Sequence, residues 1–512
     1  MTPDPTLAEA PPETRSTAGM TTKVVIGSLW TLAGQVAPLA VSLVTTPFTI
    51  RMLGAEGYGV FILIGLIPTY LGFADFGMGM ASTKFGSEAY AEGDEEKEGR
   101  VVRTAAVISL CTSVPTAALL LICAGYIINL FNVPAEFTSR AALALRLASV
   151  TFVINFLCGI FNTPQLARLR MDLNTLINAT SRILGLIATP IALYMGYGIV
   201  GAISVLLIAS LLNLAGHLVV SRNLLPQLVG TTIDSLTVRP AIKFGGGLIL
   251  ASVAGVLLVN AEKGILSATV STTALAYYSI AFVFASMLTM FSAAMVQSLM
   301  PAFSQLQAES NSEQLNSLYS RGIRINLIWL VPVLVLLALV SKPFFTIWAG
   351  VDFGRESVLP FYILAAGLAF NILAYFPHVA IMASGRSDIF AKLYWAELFL
   401  YVFLVWVLAS NFGIIGAAAA WSIRVVCDAI LLFTIAKRAA GVSYSQSRNY
   451  RFLFGILIML TPFYFNLYFQ GINWIVLVSA MLALVAYCVI VWSSALEKEE
   501  IAWLANRLRV YS

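Results

Sequence analysis

Long apolar runs recur along the whole chain and constrain its fold more than any other feature. A helix of about 20 apolar residues is long enough to cross a bilayer, and hydropathy predicts fourteen such spans. The predicted spans are 24–50, 59–83, 104–130, 142–166, 174–195, 199–221, 244–268, 273–300, 323–347, 357–383, 389–410, 414–436, 451–470 and 474–494. Only 11% of the 512 residues are charged, whereas soluble globular chains carry about 25%. The sequence therefore predicts an all-α polytopic membrane protein.

Basic residues predict the orientation of these spans. With both termini placed in the cytoplasm, all but seven of the 30 Lys and Arg residues fall on the inner side or in the inner half of a span. Cytoplasmic loops carry such an excess of Lys and Arg, so we predict cytoplasmic termini. Residues 1–22 are rich in Pro, Thr and Glu and are predicted to form a disordered tail. Residues 495–512 are predicted to form an amphipathic helix on the inner leaflet.

Two pairs of similar turns indicate an internal repeat. The motif YGIVG at 197–201 matches FGIIG at 412–416, and RMD at 170–172 matches RSD at 386–388. Six predicted spans separate the members of each pair, an even number, so the two copies have the same orientation, as in parallel repeats. We predict two parallel six-helix lobes, 23–222 and 240–438, with a cavity between them. Two further C-terminal helices are predicted within 449–494.

Ionisable side chains within the spans are candidate functional residues, because a charge at bilayer depth is costly unless it faces protein or water. Glu262 and Lys263 lie in the outer third of span seven, either as a neutralised pair or as a polar wall of a transport pathway. Asp75 in span two is either an ion-coupling or gating residue or a helix cap. Arg424 and Asp428 share a helix face and either neutralise each other or serve as headgroup ligand and coupling residue.

Three further arginines and two asparagines are candidates for binding an anionic, glycosylated substrate. Arg146 in span four has no acidic residue three or four positions away and is the strongest candidate for a phosphate ligand. Arg182 lies in the inner half of span five, and Arg51 closes span one, where snorkelling to the interface is the alternative. Asn155 and Asn371 suit sugar hydroxyls or interhelical hydrogen bonds. Spans four and twelve belong to opposite predicted lobes, so their arginines are expected to flank one cavity.

Several motifs of the chain resemble one family of membrane transporters. The stretches are PFTIRMLGAEGYGVF (47–61), ADFGMGMASTKFGSEAYAEGD (74–94), ALAYYSIAF (274–282) and KPFFTIWAG (342–350). Together they resemble the polysaccharide-transport (Wzx-like) flippases of the MOP superfamily, whose fold is MATE-like, and the resemblance covers essentially the whole chain. In span seven the family commonly has an aspartate near the position of Glu262 and Lys263, which leaves coupling to H⁺ or Na⁺ open.

The resemblance implies a function, a location and partners. It implies a flippase that moves an undecaprenyl-pyrophosphate-linked oligosaccharide across the bacterial inner membrane by alternating access, for surface or exopolysaccharide biosynthesis. The implied partners are the lipid-linked oligosaccharide, the lipid bilayer and the polymerase and chain-length proteins of the same pathway. We expect a monomer that carries no cofactor and binds no nucleic acid.

Two other functions compete with the flippase. A MATE-type ion-coupled multidrug exporter typically has twelve spans and an acid-rich cavity, whereas fourteen spans and unpaired arginine favour an anionic substrate. A membrane polymerase or ligase would place catalytic residues in a long outer loop, and the longest predicted outer loops hold about ten residues. The sequence has no G-x-x-x-x-G-K-[ST] phosphate loop. We therefore predict a transporter rather than an enzyme, driven by an ion gradient or by removal of product.

Overall fold

The computed structural model describes residues 12–230, 232–233, 253–309, 311–386, 388–444, 450–469 and 471–495. Within these ranges the regular secondary structure is helical throughout. The chain divides into two compact units, Met1–Asn260 (unit 1) and Ala261–Ser512 (unit 2), and the division falls inside one helix, 253–269. Residues 12–22 of the predicted tail belong to the first helix. The rest of that tail, and all but the first residue of the predicted helix 495–512, lie outside the described residues.

Unit 1 is a bundle of long helices joined by short turns. Helix α4 packs against α3 and α7, and α6 packs against both α1 and α7. The helices are α1 Pro12–Tyr70, α2 Met78–Ala91, α3 Glu95–Asn129, α4 Ala135–Phe161, α5 Thr163–Ala167, α6 Met171–Tyr194 and α7 Gly198–Leu224.

Unit 2 is also a helical bundle. Helix α8 (253–269) crosses the unit boundary, and the predicted span eight is divided between α9 and α10. In this unit, α15 and α16 pack against each other, and α15 packs against α11. The other helices are α9 Thr272–Ser286, α10 Thr289–Ala308, α11 Ser312–Trp348, α12 Val351–Glu356, α13 Val358–Ala383, α14 Asp388–Ala439, α15 Tyr450–Tyr468 and α16 Trp474–Ile490.

Two of the longest helices are each interrupted by a glycine. Gly54 in α1 has φ 69° and ψ 173°, and Gly413 in α14 has φ 58° and ψ −133°. This backbone region is essentially restricted to glycine. Both residues lie in turns predicted to face outside, between spans one and two and between spans eleven and twelve. Each long helix is therefore two helical segments joined at a tight bend.

The first glycines of the two matched outer turns share a positive φ angle. Gly198 and Gly413 both have φ 58°. The matched inner turns also lead into helices, since α6 begins at Met171 and α14 begins at Asp388. The parallel repeat of two lobes stays a prediction.

The predicted span two is discontinuous. After Tyr70 the chain forms a 3-10 turn, Gly72–Asp75, and then passes through left-handed conformations at Phe76 (φ 53°) and Gly77 (φ 66°) before α2 begins. Non-helical backbone at membrane depth is tolerated where protein or a water-filled cavity surrounds it. The break therefore indicates that this part of the chain faces the interior of the unit or a cavity.

Ten helices in the described part of the chain are long and apolar enough to cross a membrane. Two of the corresponding segments, Leu29–Asp75 and Lys392–Ala439, contain the bends at Gly54 and Gly413. Large apolar side chains are also exposed on the helices, among them Trp474, which is 72% exposed. A lipid environment accounts for such exposure, so the protein is a multi-pass, all-α membrane protein. The total of fourteen spans remains a prediction.

Candidate functional site

A cavity of about 810 Å³ lies inside unit 1. Helices α1, α4, α6 and α7 form its walls, together with Val256 of α8. Its volume is within the range of small-molecule sites, about 300–1,000 Å³, which are mostly apolar with a few placed polar groups. The cavity fits this description, since aliphatic and aromatic residues such as Phe152 and Leu186 alternate with polar ones. The polar side chains are Thr69, Thr151, Asn155, Asn178, Ser181, Arg182, Ser210 and Asn213.

Asn178 is held in one orientation at the cavity wall. Its Nδ2 donates to Oδ1 and to the carbonyl oxygen of Asn174, at 3.0 and 2.9 Å. Its Oδ1 accepts a hydrogen bond from Asn213 Nδ2 at 3.1 Å and lies 3.3 Å from His217 Nε2. Because Nδ2 uses both protons and Oδ1 has two neighbouring donors, this arrangement assigns the proton of a neutral His217 to Nε2.

A buried polar chain continues from Asn178 into the core of unit 1. Gln165 Nε2 lies 3.1 Å from His217 Nδ1 and donates to Ser221 Oγ at 3.3 Å, and Ser221 Oγ in turn donates to the carbonyl oxygen of Phe161. Gln165, His217 and Ser221 are all fully buried. Buried networks of this kind make the position of each member depend on the others. The orientation of Asn178 at the cavity is therefore fixed from the interior.

Arg182 brings a positive charge to the same cavity. It follows Asn178 by four residues and so shares a face of α6 with it. Both residues also line a second cavity of about 170 Å³ between α1 and α6. The Arg182 side chain is exposed, and among the described residues no acceptor or carboxylate engages its guanidinium. A guanidinium with free donors can bind a phosphate through two parallel hydrogen bonds.

The structure separates Arg182 from Arg146, the strongest candidate from the sequence. Thr151 and Asn155 line the cavity from α4. At about 100° per residue, the nine positions between Arg146 and Asn155 place the two side chains on opposite faces of α4. Arg146 is exposed on that other face and does not line the cavity. Arg182, and not Arg146, therefore lines the unit 1 cavity, and the role of Arg146 as a phosphate ligand between the lobes stays a prediction.

Asp75 contacts the backbone at the break in span two. Its Oδ1 accepts from the Gly77 amide at 2.7 Å and its Oδ2 accepts from the Gly79 amide at 3.4 Å. These amides lie at the start of α2, where backbone N–H groups lack intrahelical partners. The contacts correspond to the helix-cap alternative for this residue.

Unit 2 contains a buried group of ionisable side chains around Glu262. The Glu262 side chain is fully buried, and its Oε2 accepts from the Tyr401 hydroxyl at 2.7 Å. Lys263 Nζ lies 3.9 Å from Glu262 Oε1 and 4.7 Å from the centre of the Phe282 ring. Both charges of span seven therefore lie within the protein interior of unit 2.

Arg424 belongs to the same group. Its Nη1 lies 3.7 Å from Glu397 Oε2, and its guanidinium lies 5.1 Å from the ring centre of Tyr401. Asp428 also interacts electrostatically with Arg424 and with Glu397. The sequence pairs Arg424 with Asp428 alone, whereas the structure gives it Glu397 as an ion-pair partner, because the bend at Gly413 folds the two segments of α14 together.

The charges of this group do not balance in pairs. Among the described residues of unit 2, the group comprises three carboxyl groups and two cationic side chains, and the imidazole of His378 interacts electrostatically with Asp428. A proton, on one carboxyl group or on His378, or a bound cation would match the third carboxylate, since a buried unpaired charge is strongly unfavourable. We call this set the unit 2 charge cluster; its members are Glu262, Lys263, Glu397, Arg424 and Asp428.

The two remaining candidates lie outside both sites. Arg51 is exposed near the Gly54 bend of α1, and Asn371 is half-buried in α13 of unit 2. Neither lines the cavity of unit 1.

Glu397, Asn178 and Asn213 are among the residues of these sites that are absent from the candidates that the sequence indicates. Glu397 lies within the apolar span eleven, and the criterion applied to the other buried charges would have found it. Asn178 and Asn213 lie in spans five and six, but polar amides are common in transmembrane helices. Only the distances between them reveal that they are linked.

Comparison with known structures defines the class of fold. A structure titled "Lipid II flippase MurJ, inward closed conformation" is similar with a TM-score of 0.67 and 15% identity, covering 91% of this chain and 98% of that one. An inward-facing multidrug resistance MATE family transporter of the MOP superfamily is similar with a TM-score of 0.62 and 12% identity, covering 79% of this chain and 98% of that one. The fold is therefore similar to that of these two transporters.

Sequence comparison gives the family. The model of the family described as polysaccharide biosynthesis protein matches residues 24–307, more than half of the chain. The chain belongs to this family, which confirms the resemblance that its motifs indicate. A Shigella flexneri protein named "Putative O-antigen transporter" is 25% identical over 421 residues, which cover 82% of this chain and 99% of that protein.

Proposed function

We propose that this protein is a flippase that moves a lipid-linked oligosaccharide, carried on undecaprenyl pyrophosphate, from the inner to the outer leaflet. The observation that carries the proposal is the unit 1 cavity, in which the exposed guanidinium of Arg182 lies beside the fixed amides of Asn178 and Asn213. Membership of a polysaccharide biosynthesis family supports the choice of substrate class.

The chemistry of the cavity suits the headgroup of such a substrate. A pyrophosphate that leaves water needs positive charge and hydrogen-bond donors, and Arg182 supplies both. Sugar hydroxyls both donate and accept hydrogen bonds, as do the amides of Asn155 and Asn213. The aromatic rings of Phe152 and Phe156, with centres 4.5 Å apart, give the same cavity an apolar surface. The site therefore combines anion, polyol and apolar recognition.

The unit 2 charge cluster is the proposed site of ion coupling. Its third carboxylate would be matched by H⁺ or Na⁺, and release of that ion would leave an uncompensated buried charge. Such a penalty links ion occupancy to the conformation of the unit. We assign Asp75 a structural role as the cap of α2. Glu262 and Lys263 are assigned to the charge cluster and not to a headgroup site.

A MATE-type multidrug exporter is the second candidate. The excess of carboxyl groups in the unit 2 charge cluster favours it, since buried acids suit cationic substrates. The exposed Arg182 in the unit 1 cavity opposes it, because a guanidinium repels a cation. The two functions therefore predict different substrates for the same chain.

The remaining features of the proposal concern arrangement and location. Fourteen spans, arranged as lobes 23–222 and 240–438 with two additional helices in 449–494, would place both termini in the cytoplasm. The protein would act as a monomer in the bacterial inner membrane, beside the polymerase and chain-length proteins that use its product.

Deletion of the gene tests the function. The deletion strain should lose its surface polysaccharide and accumulate lipid-linked glycan that is labelled only after the cells are permeabilised. The wild-type gene should restore labelling in intact cells. Normal surface glycan, in a strain that also lacks related flippase genes, would contradict the proposal. Sensitivity to cationic drugs with normal surface glycan would identify the exporter instead.

A further inference from the structure

A groove of about 610 Å³ opens between α3, α7 and the segment that follows α7. It lies at the end of unit 1 that is predicted to face the cytoplasm, far along the helices from the outer bends. We call it the α3–α7 groove. Its principal side chains are Arg103, Val107, Leu218, Arg222, Val229 and Ile233.

Arg103 is held rigidly at one side of this groove. Its Nε donates to the carbonyl oxygen of Thr232 at 3.2 Å, its Nη2 donates to Thr232 Oγ1 at 3.0 Å, and its Nη1 donates to the carbonyl oxygen of Gln227. Gly230 leaves room for this position of the Arg103 side chain, because a Cβ at residue 230 would lie only 3.1 Å from the guanidinium carbon of Arg103. All these acceptors are neutral, so the charge of Arg103 is oriented by them but not cancelled.

Arg222 supplies the second positive charge. It lies in the last turn of α7, and its side chain is exposed. Among the described residues, neither a hydrogen bond nor an ion pair engages its side chain. Glu96 interacts electrostatically with Arg103, but it forms its ion pair with Arg100 at 3.2 Å. Among the residues that the structure describes, no carboxylate therefore forms an ion pair with either arginine of the groove.

The rest of the groove is apolar and open. Val107 is 39% exposed, Val229 is 64% exposed and Ile233 is 52% exposed. Exposed apolar side chains next to uncompensated basic ones match a ligand that has an anionic head and hydrocarbon chains. Basic pockets between transmembrane helices on the cytoplasmic side commonly recognise anionic lipid headgroups.

We propose that the α3–α7 groove binds an anionic phospholipid of the surrounding bilayer, with its phosphate between Arg222 and Arg103 and an acyl chain over Val107 and Val229. This site is separate from the unit 1 cavity and does not depend on the transported substrate. Arg103 also ties the segment after α7 to α3, so a bound phospholipid would strengthen the same junction.

Native mass spectrometry of the purified full chain tests this site, with phosphatidylglycerol and phosphatidylcholine as probes. The wild type should retain phosphatidylglycerol in preference to phosphatidylcholine. Arg222→Ala should lower the affinity for phosphatidylglycerol about fivefold, the effect of one basic residue near an anionic surface. Arg222→Lys should retain part of it. Arg140→Ala, which removes an exposed arginine elsewhere in unit 1, should bind as the wild type does.

A second variant and a competitor complete the test. Val229→Asp adds a carboxylate to an exposed position of the groove and should also weaken phosphatidylglycerol binding, while the melting temperature stays unchanged. Excess inorganic phosphate should not displace the lipid, because the acyl contacts supply the rest of the affinity. Equal binding of both lipids, equal losses for Arg222→Ala and Arg140→Ala, or displacement by inorganic phosphate would each overturn the proposal.

Discussion

The imidazole of His217 connects the wall of the unit 1 cavity to the core behind it. Replacement of His217 by Leu removes one partner of Asn178 and one of Gln165, and it leaves one proton of the buried Gln165 amide without an acceptor. Such a loss typically costs about 1–3 kcal/mol, so the free energy of unfolding should fall by that amount. Thermal unfolding in detergent measures it. Asn155→Leu, at an exposed cavity position, is the control and should melt near the wild type; an unchanged His217→Leu would show that the network does not fix the wall.

In the unit 2 charge cluster, replacements of Arg424 and of its ion-pair partner Glu397 are expected to lower stability by unequal amounts. Arg424→Met should destabilise the protein more than Glu397→Gln, because it removes a cation where carboxylates are already in excess. Breaking a buried pair costs about 3–5 kcal/mol when the remaining charge is unpaired. Chemical unfolding of both variants provides the comparison. Equal or reversed losses would mean that the third carboxyl group carries no charge to be matched.

Individual residues show what a sequence reveals about a membrane site. A charged residue within an apolar run is easily recognised in a sequence, and Glu262 and Arg424 were predicted as candidates for that reason. The face of a helix that a residue occupies depends on packing, so the sequence preferred Arg146 although Arg182 is the arginine that lines the cavity. Asn178 was missed because its importance arises from its contacts with Asn213 and His217, which lie on another helix.

At the level of the helices, two glycines determine where long apolar segments reverse direction. Gly54→Ala and Gly413→Ala should each destabilise the protein by about 1–3 kcal/mol, because their backbone angles are unfavourable for a residue with a Cβ. Gly125 in α3 is the control, since a Cβ there would meet open space and Ala favours a helix. Melting temperatures of the three variants give the comparison. A Gly413→Ala protein as stable as Gly125→Ala would contradict the strain at this bend.

Hydropathy located most helices but not their interruptions. It predicted spans two and eight as continuous, whereas the structure breaks the first between Tyr70 and Met78 and divides the second at Met287–Leu288. Apolar side chains are tolerated in both the helices and the turns of a membrane protein. Hydropathy therefore does not reveal such breaks. The turn at 412–416 was predictable from its glycines, because a tight turn with a positive φ angle favours glycine.

Across the whole molecule, the predicted topology places α2–α3 and the Gly413 bend on opposite sides of the membrane. Glu92 and Asn411 are exposed at these two turns. In a cysteine-free background, Asn411→Cys should react with an impermeant thiol reagent in intact cells, and Glu92→Cys should react only after permeabilisation. The reverse pattern would invert the topology, and labelling of both residues from outside would contradict an odd number of crossings between them.

The central claim is that a lipid-linked oligosaccharide crosses the membrane through a pathway that uses Arg182. Its most direct test is the rate at which this substrate becomes accessible on the opposite leaflet of liposomes that contain the purified protein. The rate for Arg182→Ala should fall by about one to two orders of magnitude, since a charged hydrogen bond contributes about 1.5–3 kcal/mol and each 1.4 kcal/mol is tenfold. Arg182→Lys should be intermediate, and Arg146→Ala should remain near the wild type. Wild-type translocation by a folded Arg182→Ala protein would contradict the account.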